Sequence, residues 1–264
     1  MITLAVLLLL YVTAWFIVSV ARRDNSLADI AWGGGFLLLA LAALALRGEV
    51  FPRSLLATAL VFIWGMRLAL HVAARNRGRG EDFRYAAWRQ QWGKSWVWRS
   101  YLQVFLLQGV FLYVVALAVV RINLTTPPGL TWLDLLGVLI WLKGFAWEVI
   151  ADWQLLRHSR HPATRGTLLD TGLWRYSRHP NYFGEALQWW GIWLLALSLP
   201  GEWWTITSPL TITVLLRFVS GVPMLERALA ERVAGYSEYQ RRTGVFVPRP
   251  VRCYNGGRKD TGKK

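Results

Sequence analysis

A chain of 264 residues is short enough to be one domain, and 55% hydrophobic residues against 17% charged is too apolar for an ordinary soluble one. Its single cysteine, Cys253, excludes an intrachain disulfide framework and a cysteine-based zinc site. The 30 Lys and Arg against 15 Asp and Glu give a net charge of +15, so nucleic acid is a partner to consider until the positions of those charges are read.

A hydrocarbon core of about 30 Å needs roughly 20 apolar residues per helix. Such runs occur at 2–20, 27–46, 54–74, 101–120, 131–151, 181–199 and 203–222. The expected fold is therefore all-α: a polytopic membrane protein with seven transmembrane helices, forming one domain over 1–255 with a disordered basic tail at 256–264. The first run has no basic residue before it and Arg22 and Arg23 after it, which predicts a retained anchor rather than a cleaved signal. Of the 30 Lys and Arg, 24 fall at Arg22 and Arg23, within 75–100, within 152–180 and after 222; the opposite loops hold only Arg47, Arg53 and Arg121. The positive-inside rule then predicts an outside N-terminus and a cytoplasmic C-terminus. A basic cytoplasmic face suits anionic membrane lipids, and nucleic acid is not an expected partner. Several of the 17 Trp (Trp132, Trp203, Trp204) stand at span ends, where amphipathic rings favour the interface.

Ionisable side chains within spans cost about 2.5–3.5 kcal/mol each and are functional candidates for that reason. The candidates are, in chain order, Asp29, Arg67 with His71, Glu148 with Asp152, Glu185 beside the polar Asn181 and Gln188, and Arg217, each in the cytoplasmic half of its span. This predicts a polar cavity opening to the cytosol. Arg67 and His71, Glu148 and Asp152, and Asn181 and Glu185 are each four apart and share a helix face. Glu148 and Asp152 are expected at a helix C-terminus, where the macrodipole disfavours negative charge, so they need an arginine or a donor such as a ribose hydroxyl. Gly33, Gly34 and Gly35 lie within a span and predict close helix packing.

Pro180 suits the first turn of a helix, so the sixth span should begin there, with its free N–H groups forming an anion site beside Arg175, Arg178 and His179. Together with Arg157, Arg160 and Arg165 upstream, this points to a phosphate-bearing ligand or to lipid headgroups. Segment 75–85, with Asn76, Arg79 and two glycines, is a second basic loop. His158 and His161 are three apart with no acid at a ligand spacing, and no metal is expected.

At Ser-Arg-His-Pro-Asn-Tyr-Phe-Gly-Glu (177–185), followed by Gln188-Trp189-Trp190-Gly191, the chain resembles the bacterial steroid 5α-reductase-like membrane family, related to the 3-oxo-5-alpha-steroid 4-dehydrogenases. Asp29-Ile30-Ala31-Trp32-Gly33, the 67–85 stretch, Ala151-Asp152-Trp153-Gln154-Leu155, Gly172-Leu173-Trp174-Arg175-Tyr176 and Ser220-Gly221-Val222-Pro223 with Glu226 also look like the family's pattern. The resemblance implies a seven-helix fold in the bacterial inner membrane, binding NADPH in a cavity open to the cytosol. It implies that Asp152, Asn181 and Glu185 contact the cofactor, that Arg175 and Arg178 lie beside it, and that the 76–79 stretch meets its phosphates. Glu148, Arg157, Arg160, His179 and Tyr182 complete the expected cofactor set. The steroid reductases carry a Gln-Glu pair on the second helix and a tyrosine on the third to hold the substrate ketone, where this chain offers Asp29-Ile30 and Trp64.

The expected activity is NADPH-dependent reduction of a conjugated enone C=C bond in a steroid-like or other lipid-soluble substrate. Asp29 is the expected carbonyl-polarising acid, with Arg67 or His71 able to do the same work; alternatively, Asp29 pairs with Arg67 as a structural ion pair. A second class shares the Arg-His-Pro-x-Tyr element: isoprenylcysteine and phospholipid methyltransferases, which use S-adenosylmethionine. Asn181 and the arginine surplus set this chain closer to the reductases. A non-catalytic scaffold or lipid-binding protein is the third reading.

Overall fold

The computed structural model describes residues 1–78, 80–125, 129–219 and 221–250. Arg79, Cys253 and the 256–264 tail lie outside the described residues. In chain order the helices are α1 (Ile2–Arg22), α2 (Leu27–Arg47), α3 (Pro52–Asn76), α4 (Phe83–Trp92), α5 (Trp96–Arg99), α6 (Leu107–Leu124), α7 (Trp132–Arg160), α8 (Pro180–Leu197), α9 (Thr207–Val214), α10 (Val222–Arg232) and α11 (Tyr236–Arg242). A π-helical stretch, Ser100–Leu106, leads into α6, and another, Leu215–Val219, follows α9. Three helices, α1 to α3, and the helical stretches Phe83–Leu124 and Glu202–Arg232 are long and apolar enough to cross a membrane, so the chain is an all-α polytopic membrane protein. It forms two compact units: Met1–Trp141 with Trp189–Ile212, and Leu142–Gln188 with the described residues from Thr213 onward.

In the first unit α2 packs against α1, α3 and α6. Three successive glycines allow this, because neighbouring helix positions point about 100° apart and so address different partners. A methyl group at Gly33 would lie 2.7 Å from the Gly65 carbonyl oxygen on α3, one at Gly34 would lie 2.5 Å from the Tyr11 hydroxyl on α1, and one at Gly35 would lie 2.4 Å from Leu112 on α6. Asn123 Nδ2 bridges two helices, donating to the Ala40 carbonyl at 2.9 Å and to Thr58 Oγ1 at 2.8 Å. At the start of α3, where Pro52 loses nothing by lacking an N–H, Arg53 forms a fully buried ion pair with Asp134. The loop between α1 and α2 is tied to the start of α4: Asn25 N–H donates to Glu81 at 2.8 Å, Asp82 N–H donates to Ser26 Oγ at 2.7 Å, and Arg89 holds Glu81 with two hydrogen bonds.

The second unit is built on the last half of α7 and the first half of α8. Here the structure corrects the sequence reading, since α7 runs on to Arg160 and Glu148 and Asp152 lie two turns or more before its end. The apolar run stops near 151, but Trp-Gln-Leu-Leu-Arg contains good helix formers, and only His161-Pro162 breaks the helix. The C-terminal dipole therefore has no bearing on either carboxylate. After the 161–179 connection, α8 starts at Pro180 as expected. Residues 243–249 run beside 176–178: Arg178 N–H donates to the Gly244 carbonyl at 2.8 Å, Arg249 N–H to the Tyr176 carbonyl at 2.9 Å and Ser177 Oγ to the Phe246 carbonyl at 2.8 Å.

Candidate functional site

The densest polar cluster inside a helix pair lies in the second unit. On α8 the helical period sets Asn181, Gly184, Glu185 and Gln188 along one face, and α7 offers Gly144, Glu148 and Asp152. A methyl group at Gly184 would lie 2.6 Å from the Gly144 carbonyl oxygen and 2.7 Å from Glu148 N, so the two backbones touch and bring their flanking side chains together. Asn181 Nδ2 donates to Asp152 Oδ1 at 3.1 Å; Gln188 Nε2 donates to Glu148 Oε2 at 2.6 Å and to the Gly184 carbonyl at 3.3 Å. Glu148, Glu185 and Gln188 are buried. Two buried amide oxygens, Asn181 Oδ1 and Gln188 Oε1, receive no hydrogen bond from the described residues. A buried acceptor left without a donor is costly. The cluster is thus an acceptor-rich surface suited to a ligand carrying N–H and O–H donors. Gln188 was noted in the sequence only as a polar residue of the span; its spacing of seven from Asn181 is what marks it as part of this face.

Arg178 and His179 serve a different purpose from the one expected. The Arg178 guanidinium donates to both Glu226 oxygens at 2.6 and 3.0 Å, and to the carbonyls of Gln240 and Thr243 at 2.6 and 3.1 Å. These bonds tie it to α10 and the end of α11. His179 Nε2 lies 3.2 Å from Glu226 and its ring stacks on Tyr182 at 5.5 Å. Burial pushes the imidazole below its ordinary pKa, against the opposing pull of Glu226. It therefore adds no positive charge for an anion at neutral pH.

Three other arginines of the expected set are exposed. Arg157 and Arg160 are exposed near the end of α7, Arg157 lying over the Trp153 ring at 5.5 Å. Arg175 is exposed and lines a cavity of about 320 Å³ with Asp170, Thr171, Gly172, Arg242 and Thr243. Arg242 is ion-paired with Asp170 there.

In the first unit, Arg67 and His71 lie half-buried one turn apart on α3, and Asn76 ends that helix with Oδ1 accepting from Arg75 at 3.1 Å. Asp29 needs correction. One oxygen accepts from the Tyr85 hydroxyl at 2.6 Å and the other from Arg84 at 2.9 Å. Its ion-pair partner is Arg84 on α4, not Arg67 on α3, and a carboxylate accepting at both oxygens is poorly arranged to donate to a carbonyl. The short α1–α2 connection and its bonds to residues 81 and 82 bring the start of α2 against α4, which no spacing within a single span reveals.

These features define a helical membrane protein whose polar chemistry is concentrated at particular helix faces. The chain belongs to the family described as "Protein of unknown function (DUF1295)", whose model matches residues 15–243. It is similar to "3-oxo-5-alpha-steroid 4-dehydrogenase 1" of Mus musculus and of Rattus norvegicus, in each case 37% identical over 68 residues. Each match covers 25% of this chain and 26% of the relative, so it spans about a quarter of the curated relatives' length. No solved structure matches the chain.

Proposed function

We propose that the protein is a membrane-embedded, NADPH-dependent reductase of a conjugated enone C=C bond in a steroid-like or other lipid-soluble substrate. The observation that carries this reading is the buried α7–α8 face, where Asn181 Oδ1 and Gln188 Oε1 lack donors beside Asp152, Glu148 and Glu185. The hydroxyls of a ribose and the N–H groups of a carboxamide match such acceptors. Exposed Arg157, Arg160 and Arg175 in the same unit suit the phosphates, because guanidinium groups bind them with paired hydrogen bonds. When bound, NADPH supplies the hydride for the β-carbon of the enone, a solvent proton completes the α-carbon, and NADP⁺ and the saturated ketone result. The similarity to enzymes named as 3-oxo-5-alpha-steroid 4-dehydrogenases supports the same class of reaction.

Titration calorimetry on the detergent-purified protein tests the cofactor. NADPH should bind, and Asn181→Ala and Glu185→Ala should each weaken it about tenfold or more, the loss of roughly one hydrogen bond in a buried site, while the protein still inserts. Unchanged affinity in both variants, or preferential binding of S-adenosylmethionine, overturns the reading.

The same reading takes Trp132–Arg160 and Pro180–Leu197 as two further crossings, giving seven, with the N-terminus outside and the C-terminus in the cytoplasm of a bacterial inner membrane. The basic asymmetry supports it, since the sparse side holds only Arg47, Arg53 and Arg121. An export-dependent phosphatase fused after Lys264 should be inactive, and strong activity there would refute the orientation.

A further inference from the structure

In the second unit, the connection between α7 and α8 and the residues at the end of α11 enclose the cavity of about 320 Å³ lined by Asp170, Thr171, Gly172, Arg175, Arg242 and Thr243. Small-molecule sites run from ~300 to 1,000 Å³, so this one has room for a headgroup rather than a whole dinucleotide. Both walls are held from outside it. On one, Leu173 N–H donates to Gln154 Oε1 at 3.0 Å and Trp174 Nε1 to the Ala151 carbonyl at 3.2 Å, both on α7. Gly172 permits that approach, with φ at +60° and a methyl group there lying 2.4 Å from Gln154 Nε2. On the other, Thr243 N–H donates to the Tyr239 carbonyl at 3.0 Å and the Thr243 carbonyl accepts from Arg178 at 3.1 Å. The Asp170–Arg242 ion pair joins the two walls. A ligand entering here meets groups already in place, which lowers the cost of ordering them. Three side chains of the lining are left over from the fold: the exposed Arg175 guanidinium and the hydroxyls of Thr171 and Thr243 have no hydrogen-bond or ion-pair partner among the described residues. Thr243 is only 5% exposed, and a hydroxyl at such a place is costly unless something in the cavity meets it.

Two guanidinium groups against one carboxylate leave the lining with an excess of positive charge, and the Arg249 stem adds to it, passing 3.6 Å from where a Gly244 methyl group would lie. An oxygen-rich anion suits a guanidinium flanked by hydroxyl donors. A phosphomonoester, with nearly two negative charges, would meet repulsion from Asp170. A phosphodiester carries one charge. We propose that this cavity binds a phosphodiester with a hydroxyl-bearing head, as phosphoglycerol is: Arg175 and the two threonine hydroxyls hold the phosphate, and the Asp170 oxygen not engaged by Arg242 accepts from a head hydroxyl. A membrane lipid and a soluble glycerophosphodiester share this chemistry. The site does not rest on the reductase reading, and it leaves Arg157 and Arg160 to the cofactor phosphates.

Native mass spectrometry of the full chain, released from nanodiscs of phosphatidylglycerol and phosphatidylcholine in equal amounts, reads a lipid occupant. Titration calorimetry with glycerophosphoglycerol in nanodiscs of phosphatidylcholine alone reads a soluble one. At least one of the two should bind, at one site per chain. Arg175→Ala should weaken that binding about tenfold and Thr171→Val by less, with Arg175→Lys recovering part of the arginine's loss. Retained phosphatidylglycerol without a response to glycerophosphoglycerol makes the occupant a lipid; the reverse makes it soluble; both together show that the head alone suffices. Binding of neither, or binding that Arg175→Ala and Thr171→Val leave unchanged, overturns the site. If a variant fails to fold, the unmutated chain still decides: phosphatidylcholine, whose head has no hydroxyl, should be retained less than phosphatidylglycerol, and equal retention of both with no response to glycerophosphoglycerol overturns the site. NADPH at saturation should leave the phosphodiester in place. Displacement by NADPH overturns a separate site and assigns Arg175 to the cofactor, whereas phosphodiester binding in a chain that binds no NADPH upholds the site and overturns the reductase reading.

Discussion

Replacing Arg53 by Met is expected to destabilise the protein by about 3–5 kcal/mol, the penalty for breaking a buried ion pair from one side. Arg53 Nε and Nη2 donate to the two Asp134 oxygens at 2.7 and 2.8 Å, and Nη2 also donates to the Gly129 carbonyl at 2.9 Å. Neither charged side chain reaches solvent appreciably. Asp134 has a second duty. It accepts from Thr131 N–H at 2.7 Å and Thr131 Oγ1 at 3.0 Å, the reach-back half of a capping box, which satisfies a free backbone donor at the start of α7. Without Arg53 the carboxylate stays buried with neutral donors only. Arg53→Met combined with Asp134→Leu should recover much of the loss, since an apolar pair requires no desolvation of charge, but should stay about 1 kcal/mol short because the cap is gone. Thermal unfolding of the three variants in one detergent measures this. A single variant within about 1 kcal/mol of the parent would show that the pair is not holding the α3 and α7 ends together.

Much of the fold could be read from the chain because it depends on local chemistry. Apolar length marked helices that cross, Pro180 marked the start of α8, and Gly33 to Gly35 marked close helix packing, which the structure shows against three helices. Helix ends were harder to read where apolar length and helix propensity disagree, as they do beyond residue 151 on α7, because leaving the hydrocarbon does not unwind a helix. The site was partly legible for a related reason. Spacing of four identifies neighbours on one helix, and so it brought out Asn181 with Glu185 and, separately, Glu148 with Asp152, while Gln188, seven from Asn181, was not joined to them. It says nothing about which distant residue meets a charge. Asp29 was expected to meet Arg67 or a substrate, yet it meets Arg84, 55 residues away, and Arg178 meets Glu226, 48 residues away. A basic residue beside a helix N-terminus looks like an anion ligand until its own carboxylate is found.

The Arg178 clamp has the next largest expected effect. Arg178→Met should lower stability by about 3 kcal/mol, toward the low end for a buried pair because Glu226 keeps His179 and Gln240 as partners. The loss should exceed that of Glu226→Gln, which keeps the shape of the acceptor and one oxygen for the guanidinium. Arg178→Lys should rescue little, since a single ammonium cannot span both Glu226 oxygens and the carbonyls of Gln240 and Thr243 as the planar fork does. The clamp fastens the residue just before α8 to α10 and the end of α11, so its failure should first release the C-terminal segment. Limited proteolysis of Arg178→Met should then cut within 222–249 under conditions where the parent stays whole, with the α7–α8 face cut later. If Arg178→Met keeps the parent's melting temperature and protease resistance but loses NADPH affinity, the guanidinium is a cofactor ligand after all and its bonds to Glu226 are replaceable. If stability falls and NADPH affinity of the folded fraction is unchanged, Arg178 acts as the strut that the geometry describes.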